Sequence, residues 1–275
     1  MSFGVRLTAA VGTRGPLCVG LDPHAALLGA WGLPDDVSGL ERFSMAAVDA
    51  LAGVAAVVKP QSAFFERHGS RGVAVLERVV EGCRAHGALV LLDVKRGDIG
   101  STVQAYADAY LRPGSPLAGD AVTASPFLGV GSLDPLVDTA LANDAGVFLL
   151  ALTSNPEGPQ VQHARTTTGR TVAAEVLAAV RARNAGGAGA VGAVVGATIS
   201  LPDDVSEADL EVGGPLLVPG IGAQGGTVDD VRRIFGAASA SVLPSSSREV
   251  LAAGPDPAAL RDAARRLADS FAGLR

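Results

Sequence analysis

Eight short, almost uninterrupted apolar runs recur along the chain, with longer amphipathic stretches between most of them, and this alternation restricts the fold more than any other feature. The runs lie at Pro16–Asp22, Val54–Lys59, Ala88–Lys95, Ala121–Ser125, Val147–Ser154, Ala190–Thr198, Pro215–Pro219 and Ser241–Pro244. Strands covered by helices on a parallel sheet are buried on both faces and read as continuous apolar runs, not alternating ones. Helical spacing appears at Leu40–Leu51, Val73–His86, Asp98–Leu111, Thr171–Asn184, Val228–Phe235 and from Pro257 to Leu274. The pattern predicts an α/β fold, a closed (β/α)8 TIM barrel. An open doubly wound sheet shares the alternation and is the alternative. No linker of Pro, Ser or Gly divides the sequence, so residues 1–275 are read as one domain. Only the acidic stretch Pro202–Gly213 breaks the rhythm, as a weak sixth helix or a loop.

Composition narrows the partners. Hydrophobic residues make up 48% of the chain but aromatics only 4%, so the core is built from Ala, Val, Leu and Ile. The net charge of -6 and the lack of any Lys/Arg block argue against nucleic acid or an anionic membrane as partner. The longest apolar run, Ala145–Leu152, is far too short to span a bilayer, and the segment MSFGVRLTAAVGTRG lacks the apolar stretch of a signal peptide. Cys18 and Cys83 stand in apolar segments without motif spacing, which does not support a disulfide framework. The four histidines lack ligand spacing, so no metal site is expected. The expectation is a soluble, cytoplasmic protein.

Of the 22 basic residues, 20 are Arg, and Lys59 and Lys95 are the only lysines. A chain so biased uses Arg wherever any cation will serve, whereas a compact ammonium able to release a proton is something Arg cannot provide. Both lysines fall at ends of predicted strands, where a barrel gathers its functional groups. The first strand ends in VGLDPH, placing Asp22 at the rim, and the second in VVKPQ, placing Lys59 there. The third reads ALVLLDVKRGDIGST, in which the two-residue period puts Asp93 and Lys95 on one face and Asp98 at the start of the next helix. Asp22, Lys59, Asp93, Lys95 and Asp98 are thus expected as an array of alternating charge around one mouth, each sign keeping the other ionised.

A second constellation, PGIGAQGGT at residues 219–227, follows the seventh strand. Gly220, Gly222 and Gly225 match GxGxxG, but a dinucleotide site needs an acidic residue ending the next strand, and that strand reads SVLPSSSREVL. The loop after strand seven of a barrel is a common phosphate cradle, and Arg248 after strand eight is placed to clamp the same phosphate. Ser154, in LALTSNPEG, could hydrogen-bond a substrate ring.

The assembled residues resemble the orotidine 5′-phosphate decarboxylase family. Its hallmark Asp-x-Lys-x-x-Asp-Ile-x-x-Thr is matched by Asp93, Lys95, Asp98, Ile99 and Thr102, together with LDP, Lys59, TSN and PGIGAQGG elsewhere in the chain. The wording DVKRGDIGST and the length resemble the longer bacterial branch. The resemblance implies decarboxylation of orotidine 5′-phosphate to uridine 5′-phosphate, the last step of de novo pyrimidine synthesis, without cofactor or metal. It implies that Asp93 lies against the substrate carboxylate and Lys95 protonates C6, while Lys59 and Asp22 hold Lys95 and the ribose hydroxyls. Ser154 would read the pyrimidine; Gln224 and Arg248, with Pro219, Gly222 and Gly225 of their loop, would hold the phosphate. Asp98, Ile99 and Thr102 would reach the neighbouring site of a homodimer. LPSSSREVL lacks the Gly-Arg pair usual in the family's shorter members, and Gln61–Gly69 departs from those members too. Rival readings are a Mg2+-dependent sugar-phosphate lyase on the same barrel, a Schiff-base aldolase using Lys95, and a barrel that binds phosphorylated metabolites without turnover.

Overall fold

A computed structural model describes residues 1–187 and 189–274. Eight parallel strands close into a barrel in chain order. They are β1 (Cys18–Leu21), β2 (Val57–Pro60), β3 (Leu89–Arg96), β4 (Ala121–Ala124), β5 (Gly146–Leu152), β6 (Val191–Val195), β7 (Leu216–Pro219) and β8 (Val242–Ser246). β8 closes on β1 through Cys18 opposite Ser245 and Val19 opposite Ser246, so the doubly wound alternative falls away.

The outer ring consists of α3 (Val37–Leu51), α5 (Gly69–Ala85), α6 (Gly100–Leu111), α7 (Asp134–Ala142), α9 (Val172–Arg183), α10 (Val228–Phe235) and α12 (Pro257–Phe271). Short helices α2 (Ala25–Ala30), α4 (Ala63–Glu66), α8 (Pro159–Gln162) and α11 (Arg248–Leu251) sit in the loops at the strand C-termini. Local chemistry sets several starts: Asp36, Thr171, Thr227 and Asp256 each accept a backbone N–H of the first turn they cap.

Between β6 and β7 no α-helix forms; a 3-10 turn over Glu207–Leu210 takes its place. The acidity of this segment has a local reason. Asp209 closes a capping box with Ser206, and Asp204 accepts the N–H of Thr171 at 2.7 Å, fixing the start of α9.

Helix α1 (Phe3–Arg14) was not anticipated from the sequence, although its apolar residues recur at helical spacing. Phe3, Leu7 and Val11 are buried against Cys18, Val57, Leu89, Phe148 and Leu243 in the barrel interior. The Phe3 ring meets Phe148 edge-on, centroids 6.0 Å apart. A Cβ on Gly146 would collide with Phe3, so that glycine admits the plug. The plug stops the N-terminal end of the barrel and leaves the C-terminal end open for function.

Cys18 and Cys83 are buried free thiols, and burial pushes both up to about 12. Among the described residues, no helix is long and apolar enough to cross a membrane.

Candidate active site

The open end of the barrel is organised around one carboxylate. Asp93, 6% exposed, accepts the Lys59 ammonium on Oδ2 at 2.9 Å and the Lys95 ammonium on Oδ1 at 2.6 Å. Thr123, buried on β4, donates its hydroxyl to Oδ1 at 2.8 Å. Burial alone would raise the Asp93 carboxyl, but the two ammonium groups outweigh it and hold it well below the usual carboxylate range. For Lys59 burial works against the charge, and Asp93 followed by Asp22 reverses it, leaving the ammonium above its ordinary value. Lys59 is sealed in, its side chain 8% exposed, whereas Lys95 is 44% exposed at the rim. One member of the pair is buried and the other lines an open cavity with Gln61 and Asp93.

Lys95 reaches this position through an irregular backbone. Leu92 pairs with Val122, but the next pairing on β4 is Arg96 with Ala124, so β3 carries extra residues in a bulge. Lys95 has φ +45, a left-handed conformation uncommon for a non-glycine residue. Arg96 anchors the downstream side: it pairs with Glu66, donates to the Tyr110 hydroxyl oxygen at 3.3 Å, and lies over the Tyr106 ring at 5.5 Å. Gly97 follows where any Cβ would strike the Ser125 carbonyl. Gln61, two residues beyond Lys59, bridges Asp93 and Lys95 once its amide is oriented to satisfy both ends: the nitrogen then donates to the Asp93 backbone carbonyl at 2.6 Å and the oxygen accepts from Lys95 Nζ at 3.2 Å.

Asp22 follows β1 and lines a small cavity of ≈ 80 Å³ with Lys59, Pro219, Gln224 and Arg248. Its Oδ1 is enclosed without a hydrogen-bond partner among the described residues, an acceptor open to a donor from a ligand. Ser154, after β5, donates to Gln224 Oε1 at 3.4 Å, a long contact that ties the fifth and seventh loops together. Thr153 before it is gripped by Gln162 at 2.9 Å and 2.7 Å.

The glycine-rich loop folds on itself. Gly220, Gly222 and Gly225 take positive φ, and the amides of Gly222, Gly225 and Gly226 donate to carbonyls within the loop. A Cβ on Gly222 would run into the Glu249 carboxylate. The start of α10 is closed by a Thr227–Asp230 capping box, with Asp229 also in its first turn. An anion at this end would therefore meet Gln224, Arg248 and the serines of β8 before those amides or the helix terminus.

Asp98, Ile99 and Thr102 stand apart from this cluster. Helix α6 begins at Gly100, not at Asp98, and the Asp98 carboxylate accepts the Ile99 N–H at 2.7 Å. None of the three lines the cavities around Lys59 and Lys95, and Ile99 is 62% exposed.

Thr123 and Gln61 were not singled out in the sequence. Gln61 shares the strand period with Lys59, and Thr123 is the one polar residue of β4, so a signal existed in each case. A larger cavity of ≈ 550 Å³ beside α1, at the opposite end of the barrel, has no titratable side chain among its lining residues. Among the described residues, no three His, Cys, Asp or Glu side chains group as metal ligands.

Comparison with known proteins converges on one family. Residues 15–263 match the model of the orotidine 5′-phosphate decarboxylase / HUMPS family. An orotidine 5′-phosphate decarboxylase from Nocardioides sp. is 63% identical, with 98% of each chain covered. One from Streptomyces coelicolor is 60% identical over 97% of this chain and 95% of its own. Among solved structures, that of a Leishmania donovani OMP decarboxylase superposes with a TM-score of 0.77 at 32% identity, covering 100% of this chain and 99% of its own.

Proposed function

The chain belongs to the orotidine 5′-phosphate decarboxylase / HUMPS family, and from that premise we propose that it is a carboxy-lyase converting orotidine 5′-phosphate to uridine 5′-phosphate and carbon dioxide without a cofactor. The observation that carries this reading is the buried carboxylate of Asp93 held between two ammonium groups, with Lys95 facing the open end. Loss of carbon dioxide breaks the bond from C6 and leaves its electron pair on a carbon whose ring delocalises it poorly. Lys95 Nζ supplies the positive charge beside that pair and then its proton, which solvent returns to the amine. Asp93 lies against the departing carboxylate and disfavours it relative to the neutral product. The site is charged and oriented before the substrate arrives, so little reorganisation accompanies the reaction.

The rest of the substrate falls on the groups around this centre. The unpartnered Asp22 Oδ1 takes a ribose hydroxyl, with Lys59 beside it. Ser154 reads the pyrimidine edge, and Gln224 and Arg248, with Pro219, Gly222 and Gly225 shaping their loop, hold the phosphate. Phosphate contacts far from C6 supply binding energy for closing the loops. A lysine flanked by carboxylate does not suit Schiff-base chemistry, which needs the free amine.

The reading is tested by following ultraviolet absorbance of orotidine 5′-phosphate with purified protein, with and without EDTA. Loss of substrate absorbance at equal rates in both is expected. Dependence on added Mg2+ would transfer the assignment to a sugar-phosphate reaction on the same barrel.

The same reading places the active unit in a homodimer. Asp98 and Thr102 of the partner subunit would complete each site, and the exposed Ile99, Phe127 and Leu128, in loops after the adjacent strands β3 and β4, give a second copy an apolar surface. Mixing inactive Asp98→Ala with inactive Lys95→Ala protein should restore activity, because each mixed dimer assembles one site with neither lesion. At equal mixing about a quarter of the sites should be intact if subunits exchange freely. No recovery after demonstrated exchange would remove the shared site.

A further inference from the structure

Thr123 is buried on β4, in a position the catalytic reading has not used. Between the pairings of Leu92 with Val122 and Arg96 with Ala124, the β3 ladder is interrupted by the bulge that carries Lys95. A bulge leaves backbone donors without their ladder acceptors. The Lys95 N–H finds a substitute in the Thr123 hydroxyl oxygen at 3.0 Å, and the same hydroxyl donates to Asp93 Oδ1 at 2.8 Å. One side chain therefore holds the left-handed turn at Lys95 and aims the carboxylate that Lys95 pairs with.

We propose that Thr123 is a positioning residue of the reaction, acting through the Lys95 backbone and the Asp93 carboxylate; the inference rests on the decarboxylase reading. It accounts for how a strained residue stays in register with its partner. A non-glycine residue at positive φ persists only when its surroundings over-determine it. Arg96 fixes the downstream side through Glu66 and Tyr110, and Thr123 fixes the turn itself. Valine matches threonine in shape, so Thr123→Val removes the hydroxyl and little else.

Two readouts separate positioning from mere packing. In Thr123→Val, kcat for orotidine 5′-phosphate should fall about ten- to hundredfold, as expected for losing a hydrogen bond to a charged group. KM should stay within about threefold, because no substrate contact is removed. The second readout exploits the chain's two lysines: [15N]lysine labelling gives two backbone amide signals, from Lys59 and Lys95. The Lys95 signal should move and exchange faster with solvent in Thr123→Val, with Lys59 little changed, and Thr123→Ser should return both kcat and the signal towards wild type. An unchanged kcat, or a loss that serine does not restore, would overturn the proposal. Should the valine variant not fold, Thr123→Ser decides alone: a fall in kcat beyond about tenfold with the hydroxyl retained would count against it. Absence of turnover in wild-type protein would defeat the decarboxylase reading, and the lysine spectra would still decide whether Thr123 holds the turn.

Discussion

Lys95→Ala is expected to lower kcat by at least about 10³- to 10⁴-fold while leaving the fold intact, the scale of losing both a positioned general acid and a preorganised charge. The fold should survive because the Lys95 side chain is 44% exposed and packs into no core cluster. Asp93 keeps two of its donors, the Lys59 ammonium and the Thr123 hydroxyl. Arginine refines the test. Lys95→Arg retains a positive charge but cannot give up a proton near neutral pH, so it should also be inactive if the proton itself comes from residue 95. Absorbance-monitored turnover, beside a thermal melt of each variant, checks both. More than about 1% residual activity in the alanine variant would remove Lys95 as the donor to C6.

The sequence exposed Lys95 through scarcity. Two lysines among 22 basic residues, both at strand ends, mark a requirement for ammonium that arginine could not meet. The barrel was equally legible, because eight buried strands leave eight apolar runs and few other folds produce them. What escaped notice depends on geometry between elements. Helix α1 has a plain apolar stripe in Phe3, Leu7 and Val11, but nothing local says that it stops the end of a barrel. The two-residue period grouped Asp93 with Lys95, and the structure does bring them together, yet through a bulge and a positive φ that a periodic reading does not contain. Thr123 was hidden for the same reason, since its partner is an amide displaced by that bulge. The glycine-rich loop illustrates the converse. Its spacing suggests free amides facing an anion, whereas three of its N–H groups are consumed by its own tight turns.

Asp93→Asn should combine a loss of kcat of at least about hundredfold with a stability deficit near 3 kcal/mol at neutral pH, because it leaves a buried ammonium without its principal counter-charge. The amide is nearly isosteric, so packing is not the cause. The deficit sits towards the lower end for a broken buried pair because Asp22 still offsets Lys59. Its pH dependence follows from the direction of each shift. The Asp93 carboxyl is depressed in the folded protein, so its contribution is complete above the unfolded carboxylate value of about 3.9 and is lost as pH falls through the folded value. Lys59 is raised, so its contribution is complete below about 10.4 and is lost only as pH rises through the folded value. Wild type should therefore hold a constant advantage over Asp93→Asn from about pH 5 to 9, shrinking below about pH 4. Denaturant melts of both proteins at pH 7 and pH 3 test this. An equal deficit at both would mean that the asparagine amide, and not the missing charge, disturbs the site. A deficit smaller at pH 3 than at pH 7 would show the catalytic array also acting as a structural ion cluster, in which the buried Lys59 ammonium depends on the Asp93 carboxylate.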